Sequence, residues 1–183
     1  AIFNTIITVA GLPYVAYTDQ ANGGKATVMR FTGTVWTNVG SAGFTSGGAD
    51  HVSLAADNSS LLLAFTDYSQ SSKATVMSWN GSIWSLVGSA GFSSGNATHL
   101  SLAFNNGIPH VAYQDNNLGS KAIVKYWNGS SWVTLGANGL SAGAAQFTSL
   151  AFLNGVPYLA YRDSANSGKT TFLQRIVDTH RNR

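Results

Sequence analysis

Short runs of β-branched and aromatic residues alternate with polar turns along the whole chain. One such run, residues 121–127, leads into Asn128-Gly129, and a second run follows to residue 136. Asn-Gly is the strongest two-residue hairpin signal, because a type I′ turn needs a positive φ at both central residues. This stretch therefore predicts one β-hairpin.

The hairpin belongs to a repeat with a spacing of 48 residues. Four Asp residues, four Lys residues and three Trp residues recur at this spacing, and Lys-Ala-Thr-Val-Met occurs at both 25–29 and 73–77. A fixed period of this size is typical of repeat architectures. It predicts repeats at about 1–48, 49–96, 97–144 and 145–175, followed by a C-terminal tail at 176–183.

Each repeat predicts four short strands, called a to d. Strand a includes residues 52–56, strand b residues 61–67, strand c begins at the recurrent Lys, and strand d carries the recurrent Trp. Strand b is apolar on both faces, with Tyr17 on one face and Ala16 on the other. We therefore expect sheets that are packed on both sides.

The fourth repeat departs from the period at its end. Residues 175–177 fall where Trp127 and the Asn-Gly turn fell, and His180 falls where Trp132 fell. We expect the last blade to lack its outer strand. Three outcomes are open. The ring closes at four blades and the last blade has an exposed edge, or the chain is part of a longer protein. In the favoured interpretation, a strand from another chain completes the last blade. The start at Ala1 indicates a processed or trimmed form.

Four strands per repeat and a long d-to-a crossing resemble the β-propeller class over about residues 3–175. Ser82-Ile-Trp84 and Ser130-Ser-Trp132 resemble the outer-strand Trp of kelch-type blades. The kelch double Gly and the Trp-Asp dipeptide of WD40 blades are absent, so no named family is assigned. The predicted fold is an all-β propeller of four-stranded antiparallel blades; a solenoid and a β-sandwich are the alternatives.

Composition narrows the location and the partners. Only 9% of residues are charged, every acid is Asp, and there is no Cys, which excludes disulfides and thiolate metal sites. Three of the ten basic residues lie in the last nine positions, and the rest of the chain carries no basic stripe for nucleic acid. No apolar run is long enough to span a membrane. We expect an extracellular or cell-surface protein, bacterial in origin, that binds neither nucleic acid nor cofactor.

The recurrent Asp and Lys flank the turn between strands b and c. In one reading Asp caps the turn and pairs with Lys across the hairpin. In the other, each blade carries a polar ligand site with Asp as acceptor and Lys as donor. The candidate ligand-binding residues are Asp19, Lys25, Asp67, Lys73, Asp115, Lys121, Asp163 and Lys169.

Aromatic residues before the turn between strands c and d are further candidates. Trp79 and Trp127 hold this position, where they would stack on sugar rings or cover the blade edge. His51 and His99 share a position with Phe3 and Phe147, which favours packing over metal binding. No metal site is predicted.

The repeat pattern predicts binding without catalysis. No nucleophile elbow or phosphate loop is present, and glycosidases need two carboxylates in different environments, whereas the repeated Asp residues are equivalent. The predicted function is multivalent glycan or surface binding, lectin-like or adhesin-like, by a homo-oligomer or part of a larger chain. The alternative is a structural or assembly module completed between chains, or a fragment of a larger secreted propeller.

Overall fold

The computed structural model describes residues 2–174 and residue 176. Its strands form antiparallel sheets, each built from strands that are consecutive in the chain. The first sheet contains β1 (Ile2–Val9), β2 (Leu12–Asp19), β3 (Lys25–Phe31) and β4 (Trp36–Asn38). The second contains β5 (Ala49–Ala56), β6 (Leu61–Asp67), β7 (Lys73–Trp79) and β8 (Trp84–Leu86).

The third sheet contains β9 (Ala97–Asn105), β10 (Ile108–Asp115), β11 (Lys121–Trp127) and β12 (Trp132–Thr134). The fourth contains β13 (Ala145–Leu153), β14 (Val156–Asp163) and β15 (Lys169–Gln174), and has three strands among the described residues. The predicted all-β antiparallel blades are confirmed. The predicted lack of an outer strand in the last blade stays a prediction, because the positions of that strand lie outside the described residues. Arg175 and residues 177–183 of the predicted tail lie outside the described residues.

The chain divides into two compact units, Ala1–Gly91 and Phe92–Arg183. The first unit holds the first two blades around a core that includes Val28, Leu63 and Phe65. The second holds the other two around a core that includes Val124 and Leu159. Every residue of β6 is buried, as expected for a strand packed on both faces.

The turn between strands a and b is the type I′ turn of this fold. Ala10-Gly11, Asn106-Gly107 and Asn154-Gly155 all have positive φ at both residues, and the flanking residues, such as Val9 and Leu12, pair directly. The sequence prediction placed this turn type between strands c and d, and that placement is wrong.

The turn between strands c and d is a four-residue loop. Trp79 pairs with Trp84, and between them the Asn80 side chain accepts hydrogen bonds from the backbone N–H groups of Ser82 and Ile83, each at 2.9 Å. Only the Gly of this Asn-Gly pair has a positive φ. Asn-Gly is favoured here because Asn caps the loop and Gly supplies the left-handed residue.

The turn between strands b and c is ordered, although its sequence is polar. Each copy forms one turn of 3₁₀ helix that begins after the recurrent Asp. The four turns are Gln20–Asn22, Tyr68–Gln70, Asn116–Leu118 and Ser164–Asn166. This end of the blades carries the candidate site.

Candidate functional site

The recurrent Asp side chains cap the turns between strands b and c. Each carboxylate accepts the backbone N–H two residues further on, at distances of 2.9 to 3.2 Å. In three blades it also accepts the hydroxyl of a Thr on strand c, as Asp19 does from Thr27 at 2.8 Å. The Thr27 and Asn22 hydrogen bonds hold the pKa of Asp19 below its usual range.

The recurrent Lys residues lie opposite these Asp residues in the strand register. The pairs are Asp19–Lys25, Asp67–Lys73, Asp115–Lys121 and Asp163–Lys169. Within the described part of the chain, none of these Lys residues forms an ion pair with its Asp. The Asp residues thus cap the turns as the structural interpretation predicts, but they do not pair with the Lys residues. The ligand-binding role of these eight residues stays a prediction.

The two candidate Trp residues lie against the recurrent Trp of strand d. The ring centroids of Trp79 and Trp84 are 5.7 Å apart, and those of Trp127 and Trp132 are 5.8 Å apart. Trp127 also lines an open groove with Pro109 and Tyr126. Sugar stacking by Trp79 and Trp127 stays a prediction.

A strained bulge interrupts strand a in every blade. The register shifts at this point, and the extra residue is Phe3, His51, His99 or Phe147, with φ between 46° and 54°. Left-handed backbone at a bulky residue costs on the order of 1–3 kcal/mol and clusters at functional sites. The ring centroids of Phe3 and His51 lie 4.4 Å apart. The expected packing contact is therefore present, but the backbone at these residues is left-handed, which the sequence did not predict.

Beside His51, the second blade carries a polar pair that the other blades lack. The Tyr68 hydroxyl donates a hydrogen bond to Oδ2 of Asp50, and Thr18 donates to Oδ1 at 3.4 Å. Asp50 is the second residue of β5, and Tyr68 begins the 3₁₀ turn. The equivalent pairs in the other repeats are Ile2 and Gln20, Thr98 and Asn116, and Gln146 and Ser164.

Gly48 makes room for this pair. A Cβ atom at Gly48 would lie 2.8 Å from Cδ2 of Tyr68, which is closer than carbon atoms approach. The Tyr68 backbone N–H also donates to the Gly48 carbonyl at 3.0 Å. Asn96 and Ala144 hold the equivalent positions, so Gly, Asp and Tyr occur together only in the second repeat.

The pair has the electrostatics of a proton donor beside its acceptor. The hydrogen bond to the Asp50 carboxylate, burial and the carboxylate charge raise the pKa of Tyr68 to about 12. Burial lowers the pKa of the neighbouring His51, while the Asp50 charge opposes that shift. Tyr68 is nevertheless exposed, so a ligand can reach the hydroxyl.

Asp50 differs from the other described Asp residues in what it does. The four recurrent residues cap the turns between strands b and c, and Asp57 accepts the backbone N–H groups of Ser59 and Ser60 in its own turn. Asp178 lies outside the described residues. Sequence reasoning missed Asp50 and Tyr68 because it searched for residues that recur in every repeat. The available signal was that both positions hold different residues in the other repeats.

Two kinds of feature do not occur in residues 2–174 and 176. They contain no group of three His, Cys, Asp or Glu residues placed to hold a metal ion. They also contain no helix of the length and apolarity needed to cross a membrane.

Comparison with solved structures identifies glycan-related neighbours. An endo-1,4-β-xylanase from Bacteroides thetaiotaomicron is 14% identical over 93% of this chain and 67% of its own, with a TM-score of 0.60. Trypanosoma rangeli sialidase in complex with sialic acid is 9% identical over 91% of this chain and 29% of its own, with a TM-score of 0.63.

The GH43B protein of the Bacteroides ovatus xyloglucan PUL is 12% identical over 94% of this chain and 38% of its own, with a TM-score of 0.59. The chain thus spans between about a third and two thirds of these neighbours. No protein-family model and no curated protein matches the sequence. At such identities the likeness shows the fold, which is that of the β-propellers.

These neighbours contradict two predictions made from the sequence. The interpretation as a non-catalytic lectin-like or adhesin-like propeller, with a structural module as alternative, is wrong, and so is the prediction that the chain is not an enzyme. The neighbours that overturn them are enzymes by name: an endo-1,4-β-xylanase, a sialidase and an exo-β-1,3-galactanase. The error came from treating the repeats as equivalent, whereas Asp50 and Tyr68 make the second blade unlike the rest.

Proposed function

We propose that this chain contributes a reactive site to a glycan-processing protein, with Asp50 and Tyr68 as the reacting pair. The observation that carries the proposal is the hydrogen bond between an accessible phenol and a carboxylate that has no turn to cap. Catalysis needs an asymmetric site, and this pair exists in one blade of four. The propeller fold shared with glycoside hydrolases supports the same conclusion.

The chemistry follows from the direction of the hydrogen bond. Tyrosine serves as the nucleophile in some glycoside-cleaving enzymes. Here the Tyr68 oxygen would attack the anomeric carbon while its proton passes to Asp50 Oδ2. The glycosidic bond breaks, its electron pair goes to the leaving oxygen, and that oxygen takes the proton from Asp50 through a bridging water. A second water then attacks the anomeric carbon and gives a proton to Asp50, the bond from that carbon to the Tyr68 oxygen breaks, and Asp50 returns the proton to the phenol, so the overall reaction is hydrolysis.

The raised pKa of Tyr68 defines the resting state of this pair. A phenol with a pKa of about 12 is neutral at pH 7, so Tyr68 is a weak nucleophile unless a base takes its proton. Asp50 removes this barrier by accepting the proton only as the new bond forms. The carboxylate therefore acts as a general base, and both partners are needed.

The neighbouring bulge supplies an aromatic surface. The rings of Phe3 and His51 lie together beside Asp50, and Phe3 is exposed. Sugar rings have apolar faces that pack on aromatic side chains. We assign Phe3 and His51 to sugar positioning, with a glycan as the ligand.

Turnover of aryl glycosides tests the proposed activity. A panel of 4-methylumbelliferyl xyloside, galactoside, arabinoside and sialoside reports release of the fluorophore. We expect hydrolysis of at least one substrate, and a loss of kcat of about 100-fold or more in Asp50→Asn and in Tyr68→Phe, in line with the contribution of an acid–base group.

Two variants control for folding and for general tyrosine or carboxylate loss. Tyr158→Phe removes an exposed phenol, and Asp57→Asn changes a carboxylate that only caps a turn. Both should keep wild-type kcat. Absence of turnover on the whole panel, or equal activity of Tyr68→Phe and wild type, would contradict the proposal.

The extracellular location and the association of the chain are separate parts of the proposal. The outer edge of β15 has no strand partner among the described residues, and Phe172 on it is exposed. Such an edge pairs readily with another chain or with further sequence. Light scattering should give a mass above that of one chain, and a strictly monomeric result at high concentration would exclude self-association.

A further inference from the structure

The third blade contains a cavity that the proposed reaction does not use. It measures about 190 Å³ and is lined by residues that include Tyr113, Asp115, Lys125, Thr134 and Asn138. We propose that this cavity binds a small carboxylate, no larger than a sugar acid, through the Lys125 ammonium group and the Tyr113 hydroxyl. The site involves residues 92–138 only, so its test is separate from that of Asp50 and Tyr68.

The first observation is a buried hydroxyl without a partner. Tyr113 is 0% exposed, and its hydroxyl makes no hydrogen bond in the structure. An unsatisfied buried polar group costs about 1–3 kcal/mol. At the equivalent position of the first blade, the Tyr17 hydroxyl donates a hydrogen bond to the Met29 sulfur at 3.5 Å. The second blade has Phe65 at this position, which carries no hydroxyl.

The second observation is a half-buried ammonium group where the other blades are apolar. Lys125 takes the place of Met29, Met77 and Leu173. Its one hydrogen bond is a long contact of 3.4 Å to the Trp132 carbonyl. Burial lowers the pKa of Lys125, although the Asp115 charge acts in the opposite direction. A lysine in this environment gains from a bound anion.

The third observation is that Asp115 is already saturated. Its two oxygens accept four hydrogen bonds from three residues, Ser94, Gly95 and Asn117, including both the N–H and the hydroxyl of Ser94. In the other blades a Thr on strand c donates to the Asp, whereas Ile123 holds that position here. Asp115 therefore acts on Lys125 through its charge and accepts no hydrogen bond from the ammonium group.

Polar substitutions in the cavity wall point the same way. Asn138 replaces Ala42 and Ala90, and Thr134 adds a hydroxyl next to Lys125 in the strand register. Together with Lys125 and Tyr113, these two residues give four groups able to donate hydrogen bonds. The Asp115 carboxylate in the wall already accepts four hydrogen bonds. Such a surplus of donors is complementary to an acceptor-rich anion, of which a carboxylate is the smallest common planar example.

The size of the cavity limits the ligand. Its volume corresponds to about six waters at about 30 Å³ each, below the range of about 300–1,000 Å³ typical of drug-sized sites. A ligand held inside it is therefore smaller than a drug-sized molecule, which limits the candidates to about one sugar ring. A longer oligosaccharide would extend outside it.

Titration with D-glucuronate, D-glucose and acetate tests the proposal, with ¹⁵N chemical shifts of the wild-type chain as the readout. We expect saturable shifts at residues around Lys125 with glucuronate and none with glucose at the same concentration. Saturable shifts with acetate at the same residues would support a carboxylate site of smaller size. Absence of shifts with both carboxylates, or equal shifts with glucose, would overturn the proposal.

Two variants taken from the other blades test the residues. Lys125→Met and Tyr113→Phe introduce the side chains found at positions 77 and 65, which this fold already accommodates. We expect at least a 10-fold weaker affinity for the carboxylate in Lys125→Met and a several-fold weaker one in Tyr113→Phe. Lys169→Met is the charge-matched control on the exposed start of β15; equal weakening in this control would overturn the assignment.

Discussion

Ala10 has a φ of 48°, which is unusual for a residue with a Cβ atom. It is the first central residue of the type I′ turn between β1 and β2, and Asn106 and Asn154 hold the same place in later blades. Asn enters the left-handed region more easily than Ala, because its side chain makes local hydrogen bonds there. The first blade therefore carries backbone strain at this turn that is smaller in the third and fourth blades, where Asn holds the position.

Ala10→Asn should stabilise the protein. The left-handed conformation costs an ordinary L-residue about 1–2 kcal/mol, and we expect Asn to recover about 0.5–1 kcal/mol of that. The urea midpoint should rise with an unchanged slope. Asn154→Ala is the reverse change in the fourth blade and should lower the midpoint by a similar amount. Equal midpoints for both variants and wild type would contradict this account.

At the scale of a strand, Trp84 connects β8 to the first blade within its unit. Its indole N–H donates to the Val39 carbonyl at 2.7 Å, and its ring stacks on Phe44 with centroids 4.7 Å apart. Gly40 is required beside it, since a Cβ there would lie 3.1 Å from the Trp84 ring. Trp132 is buried against Phe92 in the same way.

Trp84→Phe should separate the hydrogen bond from the packing. Phe keeps an aromatic ring in the core but leaves the Val39 carbonyl without its donor, which costs about 1–3 kcal/mol. Trp36 is the matched control, because it is 42% exposed. Trp36→Phe should change the unfolding free energy by less than about 0.5 kcal/mol. Similar losses in both variants, measured by urea denaturation, would argue against this role of the indole N–H.

The elements were predictable to the extent that they repeat. The same order of apolar runs and polar turns recurs every 48 residues, so strands recognised in one repeat could be placed in the others. The turn types were not predictable, since Asn-Gly fits both a type I′ turn and a capped four-residue loop. The bulge at His51 was hidden for a related reason: a positive φ is expected at Gly, Asn or Asp, and here it occurs at His and Phe.

At the scale of the whole molecule, the four copies differ where chemistry is proposed. Asp50, Tyr68 and Gly48 occur together only in the second repeat, and Lys125, Ile123 and Asn138 occur together only in the third. The shared backbone explains why a sequence search for equivalent residues found turn caps instead. It also provides an internal control, because the backbone contact of Tyr68 with Gly48 has a counterpart between Ser164 and Ala144, at 3.0 Å in both blades.

The pair should therefore be transferable to the fourth blade. There Arg162 donates to Gln146 at 2.5 Å, so a carboxylate at position 146 requires removal of that cation. The required variant combines Ala144→Gly, Gln146→Asp, Arg162→Thr and Ser164→Tyr, each copied from the second repeat. We expect the tyrosine introduced at position 164 to titrate well above the ordinary value of about 10, towards the value of about 12 for Tyr68.

Tyrosine ¹³Cζ shifts measured across pH provide the readout. The sign follows from the charge: a carboxylate that accepts the phenol proton stabilises the neutral phenol, so the introduced tyrosine loses its proton at higher pH. Omitting Gln146→Asp should return its pKa to the ordinary value, and omitting Ala144→Gly should keep the ring out of the site. In an Asp50→Asn background, the complete set should restore glycoside turnover if the pair and its blade suffice. An ordinary pKa in the complete variant would show that the raised pKa of Tyr68 depends on residues outside the copied set, such as Thr18.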